Sequence, residues 1–246
     1  MFSIFRKKYF LIDLLEGLTD MHCHILPAID DGAKDGETAL EMLMEYKKLG
    51  YIGAIATPHM MEDYYDNSSQ KIENTYREFK NFKNKNGFED FKIEFAAEYM
   101  LDSKFSKYID QKDLLPLTNK EVLVEMSYFQ KPIQVEEQLF NLQQAGYIPI
   151  LAHPERYSYL RKTEDILDFK KKGCSLQLNM LSLGKHYGPE AYKHAINLLE
   201  GNHFDYLGTD AHKPQHFQVL KEISFNKKVL PNIQALIDRT KEKLTS

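Results

Sequence analysis

Seven short apolar runs cross this chain, and six of them carry a histidine or an acid within two residues of their carboxyl end. The runs are 18–24, 52–57, 92–97, 121–126, 148–152, 175–179 and 206–209. Each is of strand length, with longer amphipathic stretches between them. That is the pattern of strands joined by helices in a parallel sheet, closed or open. Helices are predicted over 37–49, 68–85, 133–145, 163–172, 189–200 and 231–243. Their ends carry the expected signals: Asp35 before the first, Gly50, Gly146, Gly173 and Gly201 after others, and Pro189 and Pro231 in first turns. No linker rich in proline, glycine or serine interrupts the alternation. One α/β domain over residues 1–246 is therefore expected, with an N-terminal arm at about 1–17. The stretches 62–67 and 110–118 read as surface excursions.

Composition narrows the function. Hydrophobic residues make up 43% and charged residues 28%, as in a folded soluble protein. The net charge is -4 with no large basic block, so a nucleic-acid partner is not expected. The two cysteines, Cys23 and Cys174, lie far apart and suggest no disulfide framework, which favours a reducing, cytoplasmic setting. No apolar run is long enough to span a bilayer. The segment 2–10 mixes aromatics with Arg6, Lys7 and Lys8, but no small-residue cleavage site follows. It is read as an arm packed on its own domain, not as an export signal or a membrane anchor.

His22 and His24 are separated by one residue, and side chains at i and i+2 of a strand share a face. Two imidazoles can thus aim at one point, as a metal ion requires, while Cys23 turns away into packing. His59 follows the second run, Glu98 follows the third and Glu125 lies in the fourth. His153-Pro154-Glu155-Arg156 follows the fifth, and Asp210-Ala211-His212 the last. In parallel α/β architectures the carboxyl ends of strands converge on the active site, so these segments would meet in one cleft.

Taken singly, His59 is an ordinary turn residue and Asp210 an ordinary loop or capping residue. Glu98 and Glu125 are harder to explain, because an unpaired carboxylate is costly to bury. No lysine or arginine stands beside Glu125 in its run. A metal would answer that need. His194, inside a predicted helix, and His203, before a strand, read as structural. His186, in a loop, and His216, just beyond His212, are candidates to face a substrate.

Together these residues resemble the polymerase-and-histidinol-phosphatase (PHP) superfamily. The motifs are Asp20-Met21-His22-Cys23-His24 with Asp30-Asp31-Gly32, Thr57-Pro58-His59, Ala97-Glu98, Val124-Glu125-Met126, His153-Pro154-Glu155-Arg156-Tyr157 and Gly208-Thr209-Asp210-Ala211-His212. Residues 22–33 and 153–157 are especially similar to the manganese-dependent protein tyrosine phosphatases of bacterial capsule and exopolysaccharide clusters. The resemblance implies a distorted seven-stranded (β/α) TIM-like barrel holding three divalent metal ions. It assigns His22, His24, Glu98 and Asp210 to one metal and Glu98, Glu125 and His153 to a second. Asp31, His59 and His212 fall to the third. Such mixed ligands suit Mn²⁺, with Fe or Zn²⁺ as alternatives, better than Ca²⁺.

The resemblance further implies hydrolysis of phosphotyrosine by metal-activated hydroxide, with His22 and Asp210 in the catalytic cluster and Arg156 gripping the phosphate. A bacterial tyrosine kinase tail is the implied partner, and the oligomeric state is left open. No Cys-x5-Arg loop is present, which excludes the cysteine-nucleophile type of tyrosine phosphatase. Related phosphatases often carry a second arginine beyond Asp-Ala-His. Here the stretch is Lys213-Pro214-Gln215-His216-Phe217-Gln218, so Lys213 or His216 would have to substitute. The alternatives are a small-molecule phosphoesterase of the histidinol-phosphatase type and a non-catalytic kinase-binding regulator.

Overall fold

The apolar runs become parallel strands because their buried residues need cover on both faces, which flanking helices provide. The computed structural model describes residues 8–118, 120–160 and 162–245. Its strands are β1 Tyr9–Phe10, β2 Thr19–Cys23, β3 Gly53–Ala56, β4 His59–Met60, β5 Lys92–Phe95, β6 Glu98–Met100, β7 Glu121–Glu125, β8 Ile148–Ala152, β9 Ser175–Asn179, β10 Tyr206–Gly208 and β11 Ser224–Phe225. Its helices are α1 Gly36–Lys48, α2 Ser69–Lys85, α3 Phe105–Asp110, α4 Val135–Gln144, α5 Thr163–Lys171, α6 Gly188–Glu200, α7 Pro214–Glu222 and α8 Leu230–Thr245. Helix α1 starts where Asp35 accepts from the Thr38 amide at 2.8 Å. It buries Ala39, Met42, Leu43 and Tyr46, a stripe at helical spacing.

The strands form a parallel six-stranded sheet in the order β10-β9-β8-β7-β6-β4 and a parallel three-stranded sheet in the order β2-β3-β5. The second and third predicted strands correspond to β3 and β5, and each is followed, two residues on, by a further short strand, β4 or β6. Thr57-Pro58 separates β3 from β4, and Ala96-Ala97 separates β5 from β6. Proline has no amide to donate to a ladder, which accounts for the first break. Pairing resumes beyond it, since the Glu98 amide donates to the Pro58 carbonyl at 3.1 Å.

Strand β2 also meets β10. The Asp210 amide donates to the His22 carbonyl at 2.8 Å, and the His24 amide to the Ala211 carbonyl at 3.0 Å. Beneath, Asp20 accepts from the Thr209 amide at 2.9 Å and from the Tyr46 and Thr209 hydroxyls. One small apolar cluster joins Met21, Leu123, Ile150, Ala152 and Tyr206 from β2, β7, β8 and β10. A larger one packs helices on the strands and includes Cys23. Met21 and Cys23 fall in different clusters because the β2 register shifts between Asp20 and Cys23.

Residues 2–7 of the proposed arm lie outside the described residues. Beyond them, Tyr9 and Phe10 pair antiparallel with Phe225 and Ser224, and Leu11 and Leu15 are fully buried. The stretches read as surface excursions do lie mostly at the surface, with Tyr64, Asp66 and residues 110–112 exposed, but each is tethered to the body. Asn67 is buried and donates to the Ile29 and His59 carbonyls at 3.0 and 2.8 Å. The Leu115 amide donates to the Tyr99 hydroxyl at 2.8 Å. Polar groups answering backbone groups tie these surface segments down. No helix among the described residues is long and apolar enough to cross a membrane.

Candidate metal centre

The carboxyl ends of β2, β7, β8 and β10 and the first residues of β4 and β6 deliver His22, His24, His59, Glu98, Glu125, His153 and Asp210 to one buried cluster. Asp31 and His212 stand at its outer side. One fully buried group is His22, His24, Glu98 and Asp210. His22 Nε2 lies 3.2 Å from Glu98 Oε2 and 3.3 Å from Asp210 Oδ1. His24 Nε2 lies 3.4 and 3.2 Å from the same two oxygens, and 3.3 Å from His22 Nε2. These spacings match the edges, roughly 3.3–3.4 Å, of a tetrahedron of ligands about 2.0–2.1 Å from its centre.

Around this group the acceptors outnumber the protons. His22 Nδ1 donates to Gln177 Oε1 at 3.1 Å, and His24 Nδ1 donates to Asp30 Oδ2 at 2.8 Å. Each bond places the ring proton on Nδ1 and leaves a bare lone pair on Nε2, the arrangement metal-ligating histidines adopt. His212 does the same, with Nδ1 donating to the Asp210 carbonyl at 2.9 Å and Nε2 3.5 Å from Asp31 Oδ1. Among the described residues, Glu98 Oε2, Glu125 Oε1, Asp210 Oδ1 and His59 Nδ1 are buried without a hydrogen-bond partner. Buried acceptors facing one another repel unless a cation lies between them, so the donor set fits divalent metal ions.

Two further groups adjoin the first. His59 Nδ1 is 3.1 Å from Glu98 Oε2 and 3.0 Å from Glu125 Oε1, with His153 Nε2 3.0 Å from Glu98 Oε1. On the outer side, His24, Asp31, His59 and His212 offer ligand atoms within 4.8 Å of one another. Glu98 thus touches four histidines, and His59 faces two groups through its two nitrogens.

The electrostatics ask for positive charge here. Burial alone would lower the pKa of His24, yet Asp30, Asp210 and Glu98 raise it well above the ordinary histidine value. Burial would raise Glu98, but His22, His153 and His24 hold it well below the usual carboxylate range. Asp31 is likewise held low, against its burial, by His212, His59 and His24.

Backbone strain marks two of these positions. His153 and Asp210 sit at φ 36° and 52°, in the left-handed region that non-glycine residues adopt at a cost of order 1–3 kcal/mol. Gly32 is required by a close approach, since a Cβ there would lie 2.1 Å from the His24 carbonyl oxygen.

A cavity of about 410 Å³ opens over the cluster, walled by Tyr64, Tyr65, Tyr128 and Tyr187 and by Arg156, Lys213, His186 and His216. Arg156 Nη1 donates to Asp210 Oδ2 at 2.9 Å instead of pairing with Glu155. Glu155 is buried, accepts from the Asn179 amide at 3.0 Å and from the Ser182 hydroxyl at 2.7 Å, and is pushed up to about 7 by burial. His216 is nearly buried, and its Nδ1 accepts from the His212 amide at 3.2 Å. Burial and the neighbouring His212 and His186 lower its pKa to about 4, so it stands here as a neutral ring. His186, near Lys213 and Arg156, is also shifted downward, chiefly by burial. Lys213 is exposed at the start of α7.

Asp30, Gln177 and Asn179 were not singled out from the sequence. Asp30 aims His24, Gln177 aims His22, and Asn179 donates to Asp210 Oδ2 at 2.7 Å. Only Asp30, adjacent to Asp31 in a motif already noted, carried a signal that could have found it.

Fold and site together define a parallel α/β protein whose strand ends assemble a histidine–carboxylate cluster suited to divalent metals. The chain belongs to the capsular polysaccharide synthesis CpsB/CapC family, whose model matches residues 18–220. It is 32% identical over 200 residues to the tyrosine-protein phosphatase YwqE of Bacillus subtilis, covering 79% of this chain and 77% of that protein. It is 28% identical over 182 residues to the tyrosine-protein phosphatase CpsB of Streptococcus pneumoniae, covering 72% and 73%. A crystal structure from work on those two proteins, described as unique metal-dependent tyrosine phosphatases, superposes with a TM-score of 0.73 at 26% identity. It covers 91% of this chain and 95% of that one. A lactonase from Listeria monocytogenes, at 15% identity and TM-score 0.51, shares the fold alone. That match covers 95% of this chain and 92% of the lactonase.

Proposed function

We propose that this protein is a metal-dependent protein tyrosine phosphatase of capsule or exopolysaccharide synthesis, with the phosphorylated tail of a bacterial tyrosine kinase as its substrate. The observation that carries this reading is the convergence of buried acceptor atoms without partners at the strand ends, in a chain whose relatives are named tyrosine phosphatases.

Three divalent ions, Mn²⁺ by preference, complete the site. His22, His24, Glu98 and Asp210 hold one. Glu98, Glu125 and His153, with His59 alongside, hold the second. Asp31, His59 and His212, with His24 alongside, hold the third. When bound, such ions acidify a coordinated water and neutralise phosphoryl oxygens. The chain's own residues do the rest. Gln177 and Asp30 keep the proton of each partner histidine on Nδ1. Arg156 presents its fork to the phosphoryl group, a planar match that lysine cannot make. The tyrosine-lined mouth receives the aromatic ring of the substrate.

One distorted seven-stranded barrel in a single domain underlies this arrangement. The continuation of β3 into β4 and of β5 into β6, the β2–β10 hydrogen bonds and the small cluster shared by four strands support it. The cytoplasm, where kinase tails are phosphorylated, is the proposed location.

The test is turnover by the purified protein, with added Mn²⁺, of a phosphotyrosine peptide against histidinol phosphate. Faster release from the peptide is expected, and faster release from histidinol phosphate overturns the substrate assignment. His22→Ala should abolish release, and undiminished release would refute the metal mechanism.

A further inference from the structure

We propose that Tyr128 and Tyr187 are positioning residues that hold the Arg156 guanidinium over the metal cluster through their ring faces. The inference rests on the phosphatase reading for its substrate, though not for its readout.

Arg156 ends a short 3-10 turn, Pro154–Arg156, directly after His153. Its Cζ lies 3.8 Å from the Tyr187 ring centroid and 4.5 Å from that of Tyr128. A guanidinium over an aromatic face is attracted by the ring quadrupole, more strongly when both are withdrawn from water. The Arg156 side chain is 17% exposed and Tyr187 is half-buried, so water screens that contact little, whereas Tyr128 is 36% exposed and gives the more screened face.

The two rings come from separate elements. Tyr128 follows β7, three residues after Glu125, and its ring centroid lies 5.7 Å from that of His153 and 5.6 Å from that of Tyr157. Tyr187 precedes α6, and its hydroxyl accepts from Asn179 Nδ2 at 3.2 Å.

Arg156 is fixed at one further point, the 2.9 Å bond from Nη1 to Asp210 Oδ2. Among the described residues no hydrogen bond or ion pair engages its Nη2 or Nε, which leaves donors for a phosphoryl group. An arginine held at one nitrogen alone would keep much of its rotamer freedom and lose it on binding phosphate. Two ring contacts remove that freedom beforehand, which is preorganisation. The same network steadies the cluster. Asp210 Oδ2 is taken up by Arg156 and Asn179, so Oδ1 is left to face His22 and His24.

The experiment compares Tyr187→Leu and Tyr128→Leu with Tyr187→Phe and Tyr128→Phe. The phenylalanine variants keep the ring face and lose only the hydroxyl. The first readout is titration calorimetry of inorganic phosphate into the Mn²⁺-loaded protein. The second is the Arg156 Nε–H resonance of the metal-free protein, assigned by its absence in Arg156→Lys. The third is KM against kcat on a phosphotyrosine peptide. The leucine variants should bind phosphate roughly tenfold more weakly, raise KM by a similar factor and broaden the Nε–H resonance. The phenylalanine variants should stay within about twofold of the unaltered protein. Leucine variants with unchanged phosphate affinity and a sharp resonance overturn the proposal. Equal losses in the phenylalanine and leucine pairs also overturn it, by assigning the effect to the hydroxyls. If a leucine variant fails to fold, the phenylalanine variants and the resonance of the unaltered protein still decide. A sharp Nε–H signal there is required. If the unaltered protein releases no phosphate from the peptide, the phosphatase reading falls, while the calorimetry and the resonance still judge the positioning role.

Discussion

Asp30 Oδ2 stands 2.8 Å from His24 Nδ1, and this buried bond decides which nitrogen of the histidine faces the cluster. Asp30 also accepts from the Gly32 amide at 2.9 Å and the His59 amide at 3.0 Å, so its own orientation is fixed from three sides. Asp30→Asn keeps the shape but gives up the charge and one acceptor. Mn²⁺ affinity is expected to fall about 10- to 100-fold, the usual consequence of losing a partner behind a metal-ligating histidine. Titration calorimetry checks it, and unchanged affinity would show that His24 needs no such support.

Gly32 leaves no room for a side chain. A Cβ would sit 2.1 Å from the His24 carbonyl oxygen and 2.6 Å from the His24 Cβ. Gly32→Ala must therefore push the Asp30–Gly32 turn away from β2. The expected loss of stability is about 1–3 kcal/mol in urea unfolding, as for other overpacked sites, with weakened metal binding. A variant as stable as the parent would contradict the close approach.

Glu98 is the carboxylate most shared within the cluster, with His22, His24, His59 and His153 all within 3.4 Å of its oxygens. Glu98→Gln preserves the volume and removes the charge. Release of phosphate from a phosphotyrosine peptide should drop at least about a hundredfold, no less than the loss of a supporting contact would cause. Retention of most of the activity would remove Glu98 from the metal-holding set.

Metal removal should also soften the fold, because ions bound only by the folded state stabilise it by mass action. Occupancy at about 100 times Kd adds about 2.7 kcal/mol, which translates to a melting shift of roughly 5–10 °C for a chain of this size. Differential scanning calorimetry with and without a chelator tests this. An identical Tm in both would mean the cluster binds no ion in the folded protein.

Local patterns carried most of the strand positions. The runs 148–152 and 175–179 match β8 and β9 residue for residue, the first because it is continuously apolar and the second because it alternates polar and apolar residues. The second and third runs cover β3 and β5, but the short strands β4 and β6 beyond them were less legible. The interruptions before β4 and β6 depend on how Pro58, Ala96 and Ala97 sit against neighbouring strands, although Pro58 itself was a cue. Helix α3 went unread because six residues are too few for a clear period, and α7 because it offered only Pro214 in its first turn and no glycine stop, unlike the equally long α5, which ends before Gly173. Tyr65 belongs with them, since its stacking on His59, at 5.3 Å between centroids, is invisible in a polar segment.

What the sequence by itself determined was the chemistry and its address. Histidines and acids placed at the ends of apolar runs must meet if the strands are parallel, because strand direction sends every carboxyl end to one side. What only the tertiary structure decided was the division of labour. It gave His59 two faces, drew His24 toward the outer group and joined Arg156 to Asp210 instead of Glu155. It also set the proton positions, because the partner of His22 Nδ1 is Gln177, 155 residues away. Such bonds obey distance and angle in space, and spacing along the chain carries no information about either.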